Sequence, residues 1–457
     1  MSDPVAQLRS AVSDLMPGVI DDLISLARIP SVAFDGFDHA QVARSAEAVA
    51  ELLRGAGLPD VRIVTAKGES GKTGQPAVIG RRPAPPGAPT VLLYAHHDVQ
   101  PAGDPADWEQ DDPFEPRRSG ERLFGRGCAD DKAGVMAHVA ALRAFGDDLP
   151  VGVTVFVEGE EEFGSDSLEN LIAENREALA ADVIVIADSG NWDVGHPALT
   201  TSLRGVLNAY VEVRTLNQAV HSGMYGGSVP DALTVLCRLM ACLHDDAGDV
   251  AIPGLVSGEA AALDYPPQRL RAEAGMVDGV EFIGTGRLVE RMWTKPTATV
   301  LGIDAPGARE AANALQGSAR AKVSLRLAPG DDYESAFAAL KSHVEANVPW
   351  GAQVTVTLDN GGNPCVIDAR GPKYDAARTA FSQAWDGVEP VDMGVGGAIP
   401  FIATFQELFP EAAVLVTGVE DPDSRAHGPN ESLHLKEFER ACQAEALLLH
   451  HVSRLSA

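Results

Sequence analysis

Three nearly unbroken apolar runs constrain this chain more than any other feature. They lie in "VLLYAHHDVQPAG" (91–103), "VGVTVFVEGEEEFGS" (151–165) and "ADVIVIADSGN" (181–191). A strand with one wet face alternates apolar and polar residues; these runs do not, so both faces must be covered. Helical patterns fall between them, "KAGVMAHVAALRAFG" (132–146) and "SLENLIAENREALA" (167–180). Strand and helix in alternation define an α/β fold, with a mainly parallel sheet sandwiched by helices. Upstream, Leu8, Val12, Leu15, Ile20, Leu23 and Leu26 predict helices, and "HAQVARSAEAVAELLRGAG" predicts another that ends at Gly57. "DVRIVTA" and "PAVIGRRP" read as strands.

The pattern changes after about residue 200. "LNAYVEVRT", "ARAKVSLRLAP" and "AQVTVTLDN" alternate, as strands with one polar face do. "DALTVLCRLMACLHD" and "YESAFAALKSHVEANV" are helical between them. We therefore expect an α+β domain over residues 201–371, inserted into a first domain made of 1–200 and 372–457. Residues 245–300, rich in Gly, Pro and Ala, show no clear element.

Each apolar run ends in residue types that bind metals. The tips are His96–His97–Asp98, Glu160–Glu161–Glu162 and Asp188; Asp130–Asp131 precede a helix, and His427 sits in "DSRAHGPNE". Taken singly, each has a plainer reading: a core histidine, a helix N-cap, a solvated acidic loop. Together they gather, because ligands in open α/β sheets bind at the carboxyl ends of strands. Crowded carboxylates repel one another unless a cation lies between them. His with carboxylates suits zinc, and also manganese or cobalt. A pair of such ions lowers the pKa of a bridging water to about 7, and a free Glu beside it can shuttle the proton.

The totals exclude other classes. A net charge of −29, from 65 acidic and 36 basic residues, argues against nucleic acid, whose phosphates need a basic face. Five scattered cysteines without a CxxC spacing make neither a disulfide framework nor a cysteine zinc site. The first thirty residues lack a basic and apolar leader, and no apolar run reaches the roughly 18 residues of a membrane span. A cytoplasmic location is the expectation.

"YAHHDVQPAG", "LFGRGCADDKAG", "VEGEEEFGS", "HSGMYGG", "AKVSLRLAP" and "SRAHGPNE", in this order, resemble the di-zinc exopeptidase family. That family includes carnosinase-like dipeptidases, glutamate carboxypeptidase and aminoacylase, and "DDK" with "DVQPA" is most like the dipeptidase branch. The resemblance implies His96, Asp130 and Asp188 at one metal, and Asp130, Glu162 and His427 at the other, with Asp130 bridging. It implies Asp98 as the carboxylate that orients His96, and Glu161 as general base. Glu160 becomes a bystander, and His97 stays outside the ligand set.

In the inserted domain, taken as a lid and dimerisation domain, His221 matches an oxyanion donor that reaches across a homodimer. Arg326 matches the residue that grips the substrate carboxylate, and Asn313 a polar residue donated across the same dimer. Gly397 and Ala398 in "MGVGGAIPF" offer backbone N–H groups to that carboxylate. Ala398 stands where dipeptidase relatives often carry Ser, and "ALQGS" where they usually carry a Pro. Both departures bear on the substrate and leave the metal residues intact. The implied activity is metal-dependent hydrolysis of dipeptides or short peptides with a free C-terminus, by metal-bound hydroxide. An N-acyl-amino-acid deacylase is the alternative on the same scaffold; a silent binding protein would have no use for a complete ligand set.

Overall fold

The computed structural model describes residues 3–68, 70–397 and 400–455. The chain forms two compact units: Met1–Thr201 with Asp368–Met393 and Phe401–Ala457, and Ser202–Ile367 with Gly394–Pro400. The stretch 394–400 lies beyond residue 372 in sequence but clusters with the second unit.

In the first unit the apolar runs form the middle of a sheet. Strands Gly152–Glu158, Thr90–His96, Val183–Ile186 and Ala413–Val416 lie side by side and parallel. Almost every residue in them is buried, which is why they do not alternate. Outside this centre, Ala77–Arg82 pairs antiparallel with Gly152–Glu158 and Asp60–Val64 pairs antiparallel with Ala77–Arg82, and on the other side Ala198–Leu203 is antiparallel where Thr200 pairs with Val416. The whole is thus a mixed sheet with a parallel heart.

Helices Pro4–Ala27, Lys132–Phe145, Pro372–Ala384 and Leu435–Val452 pack on one another, and Lys132–Phe145 also lies against Thr90–His96. The first helix runs straight through Pro17. An interior proline costs about 3 kcal/mol. Burial of Val12, Met16, Val19, Leu23 and Leu26 offsets it, at about 1.5–3 kcal/mol for each large apolar side chain. Lys132–Phe145 is buried along most of its length, and even Lys132 is enclosed, its Nζ donating to Ile29 O at 2.7 Å. Gly134 permits this helix to start tight against the sheet: a Cβ there would come within 2.7 Å of Ala187 O.

In the second unit four antiparallel strands stand in the order Thr297–Asp304, Ser318–Leu327, Gly205–Arg214, Gln353–Gly362. Leu207, Ala209, Val211, Val323, Leu325 and Leu327 face a core shared with helices Ala232–Ala241 and Tyr333–Ala346. Asp231 and Asp332 cap these helices, accepting from Thr234 N and Ser335 N. The alternate residues, among them Asn208, Tyr210, Lys322, Ser324 and Arg326, lie on the other face of the sheet. Residues 245–296 hold two short helices, Pro267–Glu273 and Leu288–Trp293, in otherwise irregular chain, and 297–300 open the strand Thr297–Asp304. Among the described residues, no helix is long and apolar enough to cross a membrane.

Candidate metal centre

The strand tips converge as their residue types require. His96 closes strand Thr90–His96, Asp188 follows Val183–Ile186 by two residues, and Asp130 precedes helix Lys132–Phe145. His96 Nε2 lies 3.1 Å from Asp130 Oδ1 and 3.8 Å from Asp188 Oδ1. On the other side of Asp130, His427 Nε2 lies 3.0 Å from Oδ2 and 3.2 Å from Glu162 Oε2. Two groups therefore offer ligand atoms to a metal ion, His96–Asp130–Asp188 and Asp130–Glu162–His427, and Asp130 belongs to both.

The electrostatics describe a cluster that wants cations. Burial disfavours charge on His96, but hydrogen bonds to Asp130, Asp188 and Asp98 prevail and hold its pKa well above the ordinary value. Hydrogen bonds to Asp130 and Glu162 push His427 up to about 11. Burial also disfavours ionised Asp130, yet His427 and His96 keep its pKa below the usual carboxylate range. Protons on two imidazoles thus balance the carboxylates where metal charge would do so. Both histidines carry the nitrogen lone pairs a metal needs once those protons leave. The all N/O donor set, with one bridging carboxylate, fits two divalent ions.

Glu161 opens a short turn, Glu161–Phe163, beside the cluster and belongs to neither group. Burial raises its pKa well above the usual range, and the nearby charges of Asp188 and Glu162 add to this. Asp98 fastens the turn: its carboxylate accepts from Glu161 N and Glu162 N, both at 3.1 Å. His96 Nδ1 lies 3.1 Å from the Asp98 backbone oxygen and 3.5 Å from its carboxylate. Asp98 thus faces the imidazole on one side and steadies the glutamates on the other.

The neighbours divide cleanly. Glu160 turns away and ties down other chain, accepting from Gln75 N and Ser167 N at 2.8 Å. His97 is buried with Nε2 2.9 Å from Pro76 O, and burial drives its pKa down to about 4, so it stays neutral.

Several supports go beyond the ligand set expected from the sequence. Asp131 occupies the N-cap position without capping; its carboxylate accepts instead from His96 N at 3.1 Å. Gln100 Nε2 donates to Glu162 Oε2 at 2.7 Å. Buried Glu431 accepts from Ala129 N at 2.9 Å, Asp130 N at 3.2 Å and Gly127 N at 3.1 Å, and pairs with Arg126 Nη1 at 2.6 Å. Asp131 lies within "LFGRGCADDKAG" and Glu431 ends "SRAHGPNE", so the signal was their place in the same short segments as ligands. The loop that bears His427 has left-handed backbone at Arg425, His427 and Asn430. Such conformations cost of order 1 kcal/mol each without glycine and tend to persist at functional sites.

In the second unit, His221 and Asn313 meet on a two-stranded ribbon in which His221 pairs with Ala314 and Ser222 N donates to Asn313 O at 3.1 Å. Both are exposed. Arg326 lies in strand Ser318–Leu327, and Gly397 belongs to the same unit. Ala398 lies outside the described residues.

A sheet whose strand tips carry two metal-ligand groups joined by one carboxylate, with a free glutamate beside them, defines a metal-dependent hydrolase. Residues 92–451 match the profile of Peptidase family M20/M25/M40. The chain belongs to that family and is a metallopeptidase. It is 36% identical over 380 residues to the cysteinylglycine-S-conjugate dipeptidase of Corynebacterium striatum, covering 81% of this chain and 83% of that one. It is 28% identical over 383 residues to the human Beta-Ala-His dipeptidase, covering 79% and 74%. In fold it matches the di-peptidase Dug1p of Saccharomyces cerevisiae with a TM-score of 0.84 at 24% identity, over 100% of both chains.

Proposed function

We propose that this chain is a dipeptidase that cleaves peptide bonds beside a free C-terminal carboxylate, with two divalent ions, zinc first, per subunit. The observation that carries the reading is Asp130, whose two oxygens each face a different histidine, at 3.1 and 3.0 Å. When bound, two such ions polarise the scissile carbonyl and supply hydroxide at neutral pH. His96, Asp130 and Asp188 hold one ion; Asp130, Glu162 and His427 hold the other. Asp98 fixes the His96 ring and the position of the Glu161–Glu162 turn.

Glu161 takes the proton of the attacking water on its carboxylate and returns it to the leaving amine nitrogen. Its raised pKa reflects burial among like charges, and cations beside it would restore the carboxylate. His221 donates to the developing oxyanion from the partner subunit of a homodimer, where such a donor is worth most. Asn313 comes from the same partner. Arg326 holds the substrate carboxylate, assisted by Gly397 and Ala398 backbone N–H groups. The second unit is the lid and dimerisation domain, and the protein works in the cytoplasm.

Cys-Gly, its S-conjugates and β-Ala-His, the substrate types in the relatives' names, head the test panel, beside N-acetyl and N-succinyl amino acids. Hydrolysis of the dipeptides by metal-loaded protein is expected. Preference for the N-acyl compounds would make the chain a deacylase instead.

A further inference from the structure

We infer that Arg204, outside the residues named above, forms with Arg326 a two-guanidinium seat for the substrate's free carboxylate. This rests on the proposed dipeptidase reading and extends its carboxylate site by one residue.

The strand register brings the two side chains together. Arg326 pairs with Val206, and Leu327 with Gly205, the last pair of the ladder. Arg204 stands just before strand Gly205–Arg214, two residues from Val206, and the strand's alternation carried one step further puts it on the same face. Diagonal partners of this kind lie roughly 7–8 Å apart, within reach of long side chains. The shared face is the one turned away from the helices, because Leu325 and Leu327 point into the core. Arg204 is anchored by its own N–H, which donates to Val395 O at 3.2 Å.

Neither guanidinium has an acid to answer it among the described residues. Arg204 Nε and Nη1 are enclosed and without a hydrogen-bond partner. Burial, with a smaller contribution from the Arg326 charge, lowers the pKa of Arg204 to about 10; burial lowers that of Arg326. Two partly desolvated cations near one another, one with orphaned donors, cost free energy until an anion arrives. Gly396 keeps the approach open: a Cβ there would sit 2.9 Å from Arg204 Nη2. A carboxylate presents two oxygens in a plane, which suits two planar forks better than one.

The test compares a dipeptide with its C-terminal amide in metal-loaded wild type, Arg204→Met, Arg204→Lys and Arg326→Met. The wild type is expected to prefer the free acid strongly. Arg204→Met should cut kcat/KM for the acid about 100-fold, mainly through KM, while the amide changes less than about 3-fold. Arg204→Lys should recover part of the preference. Equal loss on acid and amide would make Arg204 structural and overturn the inference, as would an unchanged preference. Calorimetric titration of metal-loaded Glu161→Ala, with and without Arg204→Met, reads binding of the same two ligands without turnover. If the wild type cleaves no dipeptide the functional reading fails, whereas the calorimetric acid-to-amide difference still decides the arginine pair.

Discussion

Glu161 stands beside both metal groups without joining either. Glu161→Ala is therefore expected to lower kcat by about 10²–10⁴-fold, the usual range for a lost general base, with metal content unchanged. Metal analysis beside kinetics checks this; parallel loss of metal would make Glu161 a ligand. His97 gives a pH prediction. Its pKa is about 4 in the fold and ordinarily about 6.5, so the folded state prefers the neutral ring. Its stabilising contribution is complete above pH 6.5 and is lost as pH falls through 4, amounting to at most ~3 kcal/mol. Denaturant melts from pH 7 to 4 should show this slope in wild type and a shallower one in His97→Gln.

At the scale of elements, loops carry the site and buried pairs hold the loops. Glu431 joins the segment 126–130 to the loop of His427 through Arg126 and three backbone N–H groups. Glu431→Gln leaves Arg126 buried without its counter-charge, a defect worth about 3–5 kcal/mol. We expect a lower melting temperature and metal affinity reduced about 10–100-fold, read by thermal melts and metal-buffered titration. These pairs show what sequence can and cannot reveal. His96, Asp130, Glu162 and Asp188 stood out as candidates because each follows an unbroken apolar run or precedes a helical pattern. The roles of Glu431 and Asp131 did not, because hydrogen bonds to backbone N–H groups leave no pattern in the sequence. The antiparallel rims were hidden for a related reason: a strand's residue pattern reads the same in either direction. Helix Pro4–Ala27 looked like several helices because Pro17 is a breaker locally, and only tertiary burial overrides it.

At the scale of the whole molecule, the proposed dimer makes an arithmetical prediction. If His221 acts across the interface, mixing His221→Ala with Glu161→Ala subunits leaves one intact site in each mixed dimer. Random exchange then restores about a quarter of wild-type activity. No recovery after verified subunit exchange would place His221 in its own subunit's site, and full activity of His221→Ala alone would place it outside catalysis. The change of pattern near residue 200 was visible as a switch from continuous to alternating strands. The association of 394–400 with the second unit was not, since it depends on contacts distant in sequence.

Metal stoichiometry reaches the centre of the account most directly. Mass-spectrometric metal analysis of natively purified protein should give two divalent ions per chain, one after Asp188→Ala or His427→Ala, and none after Asp130→Ala. A wild type that binds no ion, or an Asp130→Ala protein that keeps both, would contradict a metal pair built on one shared carboxylate.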